Sequence, residues 1–249
     1  MTLTSLLSQF TPADAAALAF LFIGWTALVR YIEHPPKHNP SVTVLMARIR
    51  RDWMKAMVTR SPRIVDSNVI DSLRQSTSFF ASTSMIAIGG GVALLGDAER
   101  LAGFANDLTL ETSRSVIEAK LVLVILLVAN AFLKFVWANR VFGYCSIMIA
   151  SVPNDPDTPG AYRRALQAAE INITAARSFN RGLQSVYFAI AALAWLAGAA
   201  ALVLAVVVTL AMMWRREFAS ASRRAIWVAV REAPREKEEA GAAAPAPRL

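Results

Sequence analysis

The sequence is poor in ionisable chemistry. Only 18% of its 249 residues are charged while 55% are hydrophobic, against about 25% and 45–50% in an average soluble protein, which argues against a water-facing fold. A single cysteine, Cys145, excludes an internal disulfide, and the two histidines, His34 and His38, have no Cys or His partners at zinc-ligand spacing. They are four residues apart, but Pro35 and Pro36 between them oppose a shared helical face, so the sequence predicts neither metal nor cofactor. Residues 1–11 contain no Lys or Arg. A basic signal-peptide start is therefore missing, and the first apolar run is expected to be retained.

What is present is apolar length. Residues 13–29, 76–96, 121–137 and 187–214 form four runs nearly free of charge, each near or above the roughly 20 residues that span a bilayer. They predict an all-α, polytopic membrane protein with four transmembrane helices in a single domain over residues 1–232. Residues 233–249, rich in Ala, Pro, Glu and Arg, are expected to be a disordered tail. Between the first two runs, Val42, Leu45, Ile49, Trp53 and Met57 recur at three- and four-residue steps, with Arg48, Arg51 and Lys55 on other faces. That pattern predicts a basic amphipathic helix at the membrane interface.

The net charge of +8 comes from 26 basic residues clustered beside the apolar runs. This favours anionic lipid headgroups over nucleic acid as the partner. Residues 97–118 carry the main acidic segment and are expected outside, with the basic segments after the first and third runs inside. The basic tail then breaks the rule, because an odd number of crossings separates it from the inner side. A hairpin within residues 187–214, bent at Gly198, would restore it, although at about 14 residues per arm neither arm would cross. Both topologies stay open.

Candidate chemistry is sparse. Asn130 and Lys134 are one turn apart on the third run, Lys134 close enough to Trp137 to reach the headgroups, and Asn130 deep enough to join helices. Thr83, Ala87 and Gly91 fall every four residues and predict a small-residue packing stripe on the second run, with Ser82 beside it. No histidine lies in any run to activate these hydroxyls, which opposes a serine hydrolase. Arg177, Asn180 and Arg181 precede the fourth run and suit lipid phosphate, and Arg63, Asp66, Asp71 and Arg74 before the second suit an ion-pair cluster or a headgroup site.

The ordered set Ile70-Asp71-Ser72-Leu73-Arg74, Phe80-Ala81-Ser82-Thr83, Lys120, Phe179-Asn180-Arg181-Gly182, Tyr187-Phe188 and Trp195 resembles an uncharacterised family of bacterial and plant membrane proteins, domain of unknown function 599, over roughly residues 30–218. The resemblance implies an all-helical integral membrane protein and brings no activity, ligand or catalytic residue. The expectation is a non-enzymatic accessory or scaffold protein of a bacterial inner membrane. Arg74, Lys120, Asn180 and Arg181 are its candidate contacts to anionic headgroups or a partner, and Ser82, Thr83, Ala87, Gly91, Asn130 and Trp195 its helix-packing residues. It is expected to contact membrane lipids and to form a homo-oligomer or join a membrane complex, without nucleic acid. A small oligomeric transporter or channel is the alternative, and an enzyme acting on lipid or quinone is a third.

Overall fold

The computed structural model describes residues 9–96 and 113–242, the last of these (232–242) as helical backbone only. The elements are α1 (Pro12–Glu33), α2 (Val42–Val58), α3 (Ile64–Gly96), α4 (Arg114–Ala150), α5 (Ala161–Leu193), a 3-10 turn (Ala194–Ala197), α6 (Ala199–Phe218) and α7 (Ala221–Ala242), with no strand among the described residues. Local chemistry sets the starts. Thr11 and Asp14 cap α1 reciprocally, Asp14 N donating to Thr11 Oγ1 and Thr11 N to Asp14 Oδ2, with Pro12 at the first helical position. Ser41 accepts from Val44 N at the head of α2 and donates to Ile32 O, tying α2 to the end of α1.

Four helical stretches are long and apolar enough to cross a membrane, namely α1, α3, α4 and Ala199–Arg231, which contains α6. The chain is thus a multi-pass membrane protein. Its fourth apolar run does not form one rod. Gly198 adopts φ 109° and ψ 170°, a region open to glycine and strained for other residues, and the run splits into the end of α5 and most of α6. The expected span over residues 187–214 is therefore corrected. The objection to a hairpin fails because neither arm is about 14 residues. Residues of α5 before Tyr187 lengthen the first arm, and α6 has 20 residues, about 30 Å at 1.5 Å each.

Contacts fix which ends lie together. Ser113 Oγ donates to Gln9 Oε1, Trp195 Nε1 donates to Asp14 Oδ1, and Leu95 and Leu196 pack on Ile117 and Leu121. This end gathers the starts of α1, α4 and α6 and the ends of α3 and α5. At the other end, Thr43 N donates to Glu217 Oε2, Arg223 to Pro40 O and Asn39 Oδ1, and Arg63 to the carbonyls of Val152 and Pro153. The base of α7 lies there against α2, so the basic tail begins on the same side as the other basic segments.

Two larger cores, besides the small Ile117–Leu121 cluster, hold the bundle. Near the basic end, Met54, Met57 and Val58 of α2 meet Ile70, Phe142, Cys145 and the alanines of α5. Farther along, Leu21, Leu127, Phe188, Ala192, Leu202 and Val206 close the middle. The amphipathic helix forms over the residues its periodicity predicts, and its most apolar face turns to the bundle. Helix continues to Ala242 through part of the expected tail, whose Ala, Glu and Lys favour helix. Residues 243–249 and most of the acidic segment 97–118 lie outside the described residues.

Candidate polar cavities at the basic end

One polar side of α5 borders two cavities. From Arg177, the residues Arg181, Gln184 and Ser185 follow at four, seven and eight positions, one side of a helix; Gln184 and Ser185 are buried and the two arginines partly open to solvent. The larger, about 540 Å³, lies among α2, α5 and the end of α6, walled by Arg48, Arg50, Arg51, Arg177 and Arg216, with Asn180 also in its lining. Two carboxylates, Glu33 and Glu217, reach it. Arg51 chelates Glu170 at 2.5 and 3.2 Å and is the only one of the five in a salt bridge among the described residues. That bond raises its pKa, whereas burial lowers that of Arg50; both stay charged, as guanidinium does in proteins. Arg50 donates to Asn172 Oδ1, and Arg216 to the Tyr187 hydroxyl at 2.8 Å.

The second space, about 440 Å³, is a cleft between the lower halves of α1 and α4, floored by α5. Asn130, Lys134, Gln184, Ser185, Arg30 and Trp25 border it. Asn130 Nδ2 donates to Ser185 Oγ at 2.7 Å, and Ser185 Oγ donates to Arg181 O at 3.2 Å. Glu33 lines both spaces. Arg181 grips it with two bonds of 2.8 and 2.7 Å, a fork geometry that fixes both partners.

The sequence-predicted residues scatter. Asn180 and Arg181 stand at the cavities. Arg74 is exposed near the start of α3, 3.9 Å from Asp71, with its carbonyl accepting from Asn139 Nδ2. Lys120 lies at the opposite end from them, 5% exposed, with its ammonium 5.4 Å from the centre of the Trp195 ring. Trp195, stacked on Phe10 and bonded to Asp14, joins α1 to the α5–α6 turn.

The expected packing stripe on α3 is only partly covered within one chain. Ser82, Thr83 and Ala87 are exposed, and Thr83 and Ala87 border an apolar groove of about 480 Å³ among α3, α4 and α5. The buried polar positions are Thr77 and Ser84, about 100° round the helix from Thr83. Gly91 does meet a neighbour, since a Cβ there would lie 2.8 Å from Ile125 Cγ1. Asp66 lies fully buried before the second run, accepting from Trp53 Nε1 at 2.7 Å and from Arg60. It is a clamp inside the protein and is closed to headgroups.

Sequence reasoning missed Glu33, Arg50, Arg216, Gln184 and Ser185. The available signal was the polar face of α5 continuing into an apolar run. Among the described residues no group of three or more His, Cys, Asp or Glu is placed to hold a metal ion. No curated protein and no solved structure matches the chain. Residues 16–222 match the model of the family described as Protein of unknown function, DUF599, and the chain belongs to that family.

Proposed function

We propose that this is a non-enzymatic accessory protein of a bacterial inner membrane that holds a phosphate-bearing ligand in the arginine-walled cavity. The carrying observation is that, of five guanidinium groups around one space with two carboxylates, four (Arg48, Arg50, Arg177 and Arg216) form no salt bridge among the described residues, while Arg51 is neutralised by Glu170. Such a surplus attracts phosphate, whose oxygens match the guanidinium fork. The basic end faces the cytoplasm in this reading, supported by the positive-inside tendency now that α6 returns the tail to that side. Lipid headgroup and soluble phosphate share the required chemistry.

Binding is favoured over conduction by the middle of the bundle, where Leu21, Phe188, Leu202 and Val206 are fully buried against one another. The polar cavities lie on one side of that plug. The cavity offers hydroxyls from Thr43, Ser220 and Ser222 without a histidine beside them, which supports a holding role over nucleophilic chemistry.

Thermal unfolding in neutral detergent tests the reading in two arms, one titrating inorganic pyrophosphate and one titrating phosphatidylglycerol. A ligand at one hundred times its Kd adds about 2.7 kcal/mol. At least one arm should stabilise the wild type, and the Arg48→Gln/Arg177→Gln double variant should lose the pyrophosphate response or the part of the phosphatidylglycerol response that this cavity supplies. The proposal fails if neither arm stabilises, or if the variant responds equally.

A further inference from the structure

The cleft between α1 and α4 has features that the arginine cavity does not explain. Gln184 is only 9% exposed, its amide makes no hydrogen bond to any described residue, and its Oε1 is wholly shielded. An unsatisfied buried amide is destabilising, and here it borders an open space. Arg181 is already held by Glu33. Lys134 and Arg30 form no salt bridge among the described residues, and both border the same space, leaving it with unpaired positive charge.

The way in is from the side. On α4, Leu133 and Trp137 are exposed next to Lys134 on the helix surface, and on α1 so are Phe22 and Ile23. These apolar surfaces flank the cleft on two helices that read as membrane spans, so its mouth opens where acyl chains run. Its occupant must be apolar at one end and anionic at the other. It must also carry a group able to bond an amide, which presents N–H or C=O according to rotation about its last bond.

We infer that the α1–α4 cleft binds one anionic, hydroxyl-bearing glycerophospholipid of the phosphatidylglycerol type. Its phosphate sits against Lys134 and Arg30, its headgroup hydroxyls bond the Gln184 amide, and its chains lie along the exposed face of α4. Asn130 and Ser185 bond each other and shape the floor. This site is separate from the arginine cavity, and the variants that test it touch the cleft alone.

Delipidated full-length protein in neutral detergent is titrated with phosphatidylglycerol, phosphatidic acid, phosphatidylcholine or water-soluble glycerol 1-phosphate, and bound lipid is counted by native mass spectrometry. One phosphatidylglycerol should bind about tenfold more tightly than phosphatidylcholine, the factor that 1.4 kcal/mol confers, and more tightly than phosphatidic acid, which lacks the headgroup hydroxyls. Lys134→Gln should abolish the preference over phosphatidylcholine, and Lys134→Arg should restore it. Gln184→Leu should unfold at the same or higher temperature without lipid, because the unpaired amide is gone, yet lose the preference over phosphatidic acid. Undiminished preferences in both Lys134→Gln and Gln184→Leu would overturn the inference. So would glycerol 1-phosphate binding as tightly as the lipid. Loss of lipid preference only in the Arg48→Gln/Arg177→Gln variant would assign the lipid to the other cavity.

Discussion

Gly182 sets how closely α5 approaches α4, and its replacement by alanine has a magnitude that the geometry constrains. A Cβ built there lies 2.6 Å from Phe135 Cε1, 2.8 Å from Cδ1 and 3.0 Å from Cζ. Phe135 is fully buried between Phe80 and Phe179, with ring centres 5.3 and 5.5 Å away, so it has no room to turn aside. Overpacking of this kind costs about 1–3 kcal/mol, and removing a mid-helix glycine returns about 0.5–1 kcal/mol. With three ring atoms at or under 3.0 Å the overpacking cost belongs in the upper half of its range, about 2–3 kcal/mol, and the net expectation for Gly182→Ala is a loss of about 1–2.5 kcal/mol. At Gly91 the obstacle is Ile125, which borders the apolar groove and has space to rotate, so Gly91→Ala should be close to neutral. Nothing lies within 4 Å of a Cβ at Gly90, and Gly90→Ala should be neutral or stabilising. Thermal unfolding in one detergent gives the order, at about 2–4 °C per kcal/mol for a chain of this size. Adding Phe135→Leu to Gly182→Ala should recover part of its loss, a coupling expected of residues in contact. Gly182→Ala matching or exceeding Gly90→Ala in stability would refute the reasoning.

Asp66→Ala leaves the Trp53 donor without its buried acceptor, while Arg60, 40% exposed, can turn to solvent; the change should cost about 1–3 kcal/mol. Asp66→Asn keeps an acceptor for the indole and should cost less, and denaturation of the two variants side by side checks the order. In a Cys145→Ala background, cysteines at Asn39 and Ser222 should both resist an impermeant maleimide in intact spheroplasts while one at Thr11 reacts. Labelling at Ser222 together with Thr11 would contradict the return of α6.

Several elements were legible because a strong local signal coincided with the tertiary outcome. The step pattern from Val42 places α2 within its observed bounds, and the uncharged runs locate α1 and the apolar parts of α3 and α4. Asn130 was legible as a polar group inside a span and bonds Ser185 across helices. Ser82, Thr83 and Ser84 are all small and polar, so composition cannot say which of them this chain buries; it is Ser84. Lys120 was singled out by the family resemblance alone, which does not show that Trp195, 75 positions later in the sequence, lies over it. Both placements depend on partners distant in the chain, which periodicity does not report.

The concealment of α5 and the making of the site have one cause. A helix that packs on α4 along one side and on α2 and α6 along others has little surface for lipid, so its sequence need not be apolar, and a hydropathy search passes over it. Freed from that demand, one side of the helix carries Arg177, Arg181, Gln184 and Ser185, and these border the two cavities. Gly198 completes the arrangement. By turning the chain after Trp195, it lets α6 cover the flank of α5 and brings Arg216 and Glu217 back to the basic end. The tail that breaks charge asymmetry in a single fourth crossing therefore returns to its own side, and the basic residues gathered there wall a shared cavity.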